Sequence, residues 1–270
     1  MTGTESVSLG FQDRIATIEI RREPQLNALN EGVLRGILAA VREIATGCSG
    51  ENAYERCRLV VLRGAGEKAF VAGADIKAMH SADAASLTSF VKLGQEVMRS
   101  LENLPLPVLA VVQGFAIGGG LELALACDLI LAGQLARFGQ AEVKLGLIPG
   151  FGGTQRLVAR VGMGAAKRLV LTGDDIVAEE AFRIGLVDYL VPNDELPSLL
   201  TRVSSSLLAR SPIALAAGKR AVQGFYNQNL DSGLQREVNE FLFSAQSADA
   251  REGMQAFLEK RKATFRGKYG

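Results

Sequence analysis

The chain has 270 residues, 48% of them apolar, which suffices for a substantial core in one large domain or a domain with a helical extension. Basic and acidic residues nearly cancel, 30 against 29, so no general attraction to nucleic acid or to a membrane surface is expected. The three cysteines, Cys48, Cys57 and Cys127, form no Cys-x-x-Cys pair, and His80 is the only histidine, which argues against a disulfide framework, a zinc site and any multi-histidine metal centre.

Met1 to Gly10 has neither the apolar core of a signal peptide nor an arginine-rich amphipathic pattern, and no apolar run reaches the roughly 18 residues of a membrane span. A soluble cytoplasmic protein is expected. Residues 14–20 alternate as a half-buried strand does, and Asn30 is placed to cap a helix running to about Thr46. Polar residues 47–57 read as a loop, followed by a short apolar strand from Leu59 to Arg63. His80, at the start of the next helix, reads as an exposed surface residue. Helical periodicity then covers 83–103, until Pro105 and Pro107 break it. Val108 to Val112 is apolar throughout, as in a strand buried on both faces. Gly114 to Gly120 reads as a loop, Leu121 to Cys127 as a buried helix and Asp128 to Ala132 as a strand. Beyond residue 153 the pattern is helical apart from one strand at Val187 to Val191, with amphipathic stretches near 194–210, 212–226, 231–246 and 249–264. The order strand, strand, helix in the first half and helices in the second indicates an α/β core over 1–195 and a helical region over 196–270.

Neither Gly-x-Gly-x-x-Gly nor a phosphate-binding Gly-x-x-x-x-Gly-Lys-Ser/Thr occurs, so nicotinamide and nucleotide-hydrolysis chemistry lack their usual support. Two glycine-rich loops do follow buried strands: Ala72-Gly73-Ala74-Asp75-Ile76-Lys77 and Gly114-Phe115-Ala116-Ile117-Gly118-Gly119-Gly120. Either they are tight turns filled by small residues, or their free N–H groups converge on one oxygen as an oxyanion hole. Glu122 weighs towards the second reading. It lies one helical turn after Gly119 among Leu121, Leu123, Ala124 and Leu125, where a carboxylate is costly to bury unless it is hydrogen-bonded or at work. Glu142, in Gly139-Gln140-Ala141-Glu142, is the second candidate; two carboxylates beside a polarised carbonyl would suit general acid–base chemistry.

Four segments, Ala72 to Lys77, Gly118-Gly119-Gly120-Leu121-Glu122-Leu123-Ala124, Phe138 to Glu142 and Gly150-Phe151-Gly152-Gly153-Thr154-Gln155-Arg156-Leu157, resemble the enoyl-CoA hydratase (crotonase) family in order, spacing and identity. Leu171 to Asp174 and Arg251 to Arg261 match it too, and residues 47–57 exceed its usual loop length. The resemblance implies a spiral of repeated ββα units with C-terminal helices that mediate trimerisation, usually into a dimer of trimers. It implies reversible addition of water to the 2,3 double bond of a short 2-enoyl-CoA, giving a 3-hydroxyacyl-CoA. The N–H groups of Ala74 and Gly119 would hold the thioester oxygen. Glu122 would activate the water and Glu142 would protonate C2, with Gly150 helping to hold that water. Ala72 would meet the adenine amino group, Asp75, Ile76 and Lys77 would line the same substrate-binding loop, and Phe257 and Lys260 would contact CoA. No metal and no cofactor beyond the CoA of the substrate is implied. Relatives on this scaffold also isomerise Δ3 to Δ2 double bonds or hydrate 3-methylglutaconyl-CoA, and isomerases often lack one of the two carboxylates. The C-terminal run Glu259-Lys260-Arg261-Lys262 with Arg266 and Lys268 is either a solvated helix end or a basic patch; an RNA-binding role is disfavoured by the net charge.

Overall fold

The computed structural model describes residues 2–4, 6–48, 54–80, 82–227 and 229–268. Two short leading strands, β1 (Thr2–Thr4) and β2 (Val7–Gln12), precede β3 (Ile15–Ile20), and the three form an antiparallel meander. Helix α1 (Glu31–Gly47) begins where expected: the Asn30 side chain accepts the Val33 N–H at 2.9 Å, satisfying a donor the helix leaves free. Its residues Val33, Leu34, Ile37, Val41 and Ile44 recur every three or four positions and are buried. The polar loop at 47–57 lies largely outside the described residues, which resume at Tyr54.

The chain then repeats a unit of two strands and a helix. Strands β4 (Leu59–Gly64) and β5 (Ala69–Val71) lead through the short α2 (Ile76–His80) to α3 (Ala84–Glu102). Strands β6 (Val108–Val112) and β7 (Phe115–Ile117) lead to α4 (Gly119–Leu125), and β8 (Leu129–Gly133) and β9 (Arg137–Gly139) to α5 (Gly153–Thr172). A last turn holds β10 (Asp175–Val177), α6 (Ala178–Arg183) and β11 (Tyr189–Val191). In the first three units the first strand joins a seven-stranded sheet, in the order β1-β2-β3-β4-β6-β8-β11, and the second joins a four-stranded sheet, β10-β9-β7-β5; in the last turn β10 joins the small sheet and β11 the large one. This is the expected spiral of ββα turns. From β3 to β11 the large sheet is parallel, and successive residues of β4 and β6 are buried on opposite faces, hence their continuous apolar runs. One face packs on the main core with α1 and α3. The other presents Leu59, Leu109 and Leu131 to Leu196, Leu199 and Val203 of α7 (Leu196–Leu208).

Several expectations need correction. Gly114 to Gly120 is not one loop, because Phe115–Ile117 pairs with β5 and β9, and α4 starts at Gly119 rather than Leu121. Beyond residue 153 there are two strands, since Asp175–Val177 pairs antiparallel with β9. The four strands of the small sheet have only three residues each, too few to display alternation. The final helix does not run to 264. After α8 (Pro212–Gln223) and α9 (Leu230–Ala245), helix α10 (Ala248–Leu258) ends where Lys260 turns left-handed at φ 55°, and the Arg261 N–H returns to the Ala256 carbonyl. The remaining tail folds back: the N–H groups of Arg266 and Gly267 and the Ser211 hydroxyl all donate to the buried Asp249 carboxylate. Among the described residues no helix is long and apolar enough to cross a membrane.

The two sheets meet the helices most tightly at Gly120. A Cβ there would lie 1.9 Å from the Val71 carbonyl oxygen, so α4 rests directly on the end of β5. Gly120→Ala should therefore destabilise the protein by about 1–3 kcal/mol, measured as a lowered midpoint in urea unfolding, because backbone has to separate from backbone. An unchanged midpoint would show that this approach is not a constraint.

Candidate active site

Ala74 sits just past β5, where it forms a parallel bridge with Leu29. The bonds of that bridge are made by its neighbours, Leu29 N–H to the Gly73 carbonyl and Asp75 N–H to the Leu29 carbonyl. The Ala74 N–H thus points away from Leu29, and it donates to no acceptor among the described residues. Gly119, the first residue of α4, likewise has an N–H without an acceptor, as the first turn of any helix does. Gly118, which caps α4, holds φ 54° and has its N–H on the Gly139 carbonyl at 2.8 Å. Both free donors border one cavity of about 580 Å³, which Ala72, Ile76, Glu122, Glu142 and Gly150 also line.

Glu122 projects from the first turn of α4 and is 1% exposed. One of its oxygens, Oε1, accepts the N–H of Phe151 at 2.8 Å and that of Gly153, the first residue of α5, at 2.6 Å. No protein donor among the described residues reaches the other oxygen. Burial pushes the Glu122 carboxyl up to about 7; the two N–H donors and the Arg156 charge oppose that rise, and the Glu142 charge adds to it. Glu142 opens the 3-10 turn Glu142–Leu145 after β9, and burial raises its carboxyl as well. Its Oε2 is buried with no hydrogen-bond partner among the described residues. A Cβ on Gly118 would come within 2.8 Å of Glu142 Oε1, so glycine at 118 provides both the left-handed turn and the space beside this carboxylate.

The sequence-predicted residues therefore divide. Glu122, Glu142, Ala72, Ala74, Ile76, Gly119 and Gly150 share the cavity. Asp75 does not line it; its carboxylate pairs with Arg22 at 3.2 Å. Lys77 points to solvent, and Phe257, 81% exposed, and Lys260 lie on the far C-terminal turn. Arg261 in the basic run is engaged by Glu252 and Glu259. His80 is exposed and Cys127 buried, as read from the sequence. Three contributors had no role assigned from the sequence: Phe151 and Arg156 lie inside the Gly150 to Leu157 motif without one, and Gln95 had no signal. Phe151 supplies an N–H to Glu122 and packs edge-on against Phe90, ring centroids 5.3 Å apart. Arg156 holds the 151–153 loop by donating to the Phe151 carbonyl at 2.8 Å while paired with Glu102 at 2.6 Å. Gln95 of α3 donates to the Gly150 carbonyl at 2.9 Å. The bare glycines of Gly150-Phe151-Gly152-Gly153 at a helix start were the one available hint of donors for an anion there.

A sequence model described as enoyl-CoA hydratase/isomerase matches residues 10–268. The chain is 42% identical to the crotonyl-CoA hydratase of Syntrophomonas wolfei, over 97% of this chain and 98% of that protein. It is 42% identical to the short-chain-enoyl-CoA hydratase of Clostridium acetobutylicum, over 95% and 96%. Among solved structures, the enoyl-CoA hydratase of Bacillus anthracis superposes with a TM-score of 0.91 at 36% identity, covering 98% of this chain and all of that one. With two carboxylates and two unpaired N–H groups around one apolar cavity, and with this likeness end to end, the chain belongs to the enoyl-CoA hydratase/isomerase family.

Proposed function

We propose that the protein is a hydro-lyase that reversibly adds water to the 2,3 double bond of a short-chain 2-enoyl-CoA. The observation that carries this reading is the pairing of a buried Glu122 with a half-buried Glu142, both carboxyls raised, beside the free N–H groups of Ala74 and Gly119. Attack at C3 moves charge onto the thioester oxygen, where the two N–H donors stabilise it. Water bonds to C3 and passes its proton to the carboxylate of Glu122, whose Oε1 is already fixed by two donors while the other oxygen is free to hold water. C2 takes its proton from the carboxyl of Glu142. Glu142 suits that role because no donor among the described residues reaches its Oε2 to stabilise a charge. The turnover leaves Glu122 protonated and Glu142 ionised, and proton exchange resets the pair. The Glu142 charge raises Glu122, so their titration steps belong to the pair. Gly150, at the cavity wall, would help hold the water.

The chemistry calls for no cofactor beyond the CoA that the substrate carries. Ala72 and the adjoining loop to Lys77 would receive the adenine end. Phe257 and Lys260 would reach CoA across a subunit boundary, because on one chain they lie away from the cavity. A homo-oligomer, a dimer of trimers, also accounts for the apolar residues left uncovered on α9 and α10, among them Phe241 at 67% and Leu258 at 75% exposure. The three cysteines are free, which suits a reducing, cytoplasmic location.

Glu122→Gln and Glu142→Gln should each lower crotonyl-CoA turnover by roughly 100- to 10,000-fold in a spectrophotometric assay of the conjugated double bond. The double variant should fall much less than the product of the two, since both groups hold one water. Near wild-type hydration by Glu122→Gln would leave a single-carboxylate, isomerase-like reaction as the better account. The same burial sets a pH dependence of stability. The folded-state value of Glu122, about 7, lies above the ordinary 4.5, so its contribution is fully present below pH 4.5 and lost as pH rises through 7. Glu122→Gln should thus gain on the wild type by about 3 kcal/mol between pH 5 and pH 8, read as a growing Tm difference. A difference that is flat with pH would place the ionisation elsewhere. Light scattering at micromolar concentration should give a mass several times that of one chain; a stable monomer would refute the proposed assembly.

A further inference from the structure

The catalytic groups occupy one part of the cavity, and the remainder sets how much acyl chain it admits. Beyond the two carboxylates its walls are Leu87, Phe90 and Val91 of α3 on one side and the loop through Ile148 and Phe151 on the other. These walls close together, because a Cβ on Gly150 would already lie 3.3 Å from Val91 Cγ2. At the point where α3 and the loop diverge stands Gln95. Its amide donates to the Gly150 carbonyl at 2.9 Å, laying the side chain across the seam between helix and loop.

A second space begins behind that seam. A cleft of about 680 Å³ shares Gln95, an exposed residue of α3, and the buried Phe151 with the cavity, so these two residues border both spaces. The cleft differs in character from the cavity. It is bordered by Arg99, Glu102, Asn103, Gln155, Arg156 and Gln223, with Arg156 and Glu102 ion-paired across it. A methylene in an apolar cavity gains about 0.8 kcal/mol by leaving water, whereas one pushed into this cleft forgoes that gain and desolvates a charged pair.

We propose that Gln95, with Phe151 behind it, is the specificity-determining residue that restricts this enzyme to short acyl chains, by walling the apolar cavity off from the polar cleft. The proposal rests on the acyl-CoA reading above and adds to it the residue that fixes chain length. Gln95 acts by bulk placed across the seam, and its hydrogen bond to Gly150 is not what restricts the chain.

Binding of saturated acyl-CoAs from butyryl- to dodecanoyl-CoA, measured by calorimetry, tests the wall without requiring turnover. For the wild type the dissociation constant should stop improving, or worsen, once the chain outgrows the cavity. In Gln95→Ala the ratio of decanoyl- to butyryl-CoA affinity should rise at least about tenfold, the scale set by one or two methylenes that take the room the Gln95 side chain vacates, short of the charged cleft. Gln95→Met, which keeps the bulk and loses the hydrogen bond, should retain the wild-type ratio within about threefold. An unchanged ratio in Gln95→Ala, steadily tightening wild-type affinity out to dodecanoyl-CoA, or an equal shift in Gln95→Met would each overturn the proposal. Hydration assays on the same chain lengths run alongside. Acyl-CoA binding with no hydration of any enoyl-CoA would count against the proposed reaction and leave the wall standing or falling on its own measurement.

Discussion

The structure turns on one close approach, the backbone of Gly120 against the carbonyl of Val71. It brings the start of α4 down onto the end of β5, so the loop after β5 and the first turn of α4 become neighbours although they are far apart in sequence. Two N–H groups that would each be an ordinary unpaired donor thereby border one cavity. A side chain of any size at 120 would part the two segments, and no movement of a rotamer could relieve it, because the obstructing atom is backbone. Glu122 inherits its place from the same contact. It stands one residue pair further along the helix, so anything that positions Gly119 also positions the carboxylate.

Holding a carboxylate in that place is electrostatically unfavourable, and the surrounding structure is organised to offset it. The N-terminus of α5 supplies two N–H groups to Glu122 Oε1, and Arg156 fixes the loop that presents them. Arg156 is itself steadied by Glu102 at the end of α3, so the chain of support passes from Glu122 Oε1 through a loop to α3. Glu142 Oε2 has no donor among the described residues. Two carboxylates in one cavity are thus made unlike each other, as chemistry that takes a proton on one side of a double bond and gives one on the other requires. The loop from Gly150 to Gly153 serves both tasks: its N–H groups face the carboxylate, and its Gly150 carbonyl ties it to Gln95.

What the sequence determined by itself follows local rules. The Asn30 cap, the periodicity of α1 and α3, the buried run Val108–Val112 and the stop at Pro105 and Pro107 depend on neighbours within a few residues, and each is found as read. Glu122 could be singled out because an acid inside an apolar helix is anomalous wherever that helix packs, and Glu142 followed from the motif around it. Only the tertiary structure decided the rest. The three-residue strands of the small sheet exist because partners distant in sequence complete their hydrogen bonds; alone, the glycine-rich segment that holds Phe115–Ile117 reads as a loop. The left-handed turn at Lys260 and the tail bound by Asp249 cut short a helix whose periodicity continued. Asp75 was drawn to Arg22 and away from the cavity by a contact 53 positions apart in sequence. Gln95 had no sequence signature, being one polar residue on the polar face of an amphipathic helix. Its place at the seam between an apolar cavity and a charged cleft is set by where the loop after residue 149 happens to cross α3, and burial and proximity of that kind arise only when distant segments pack together.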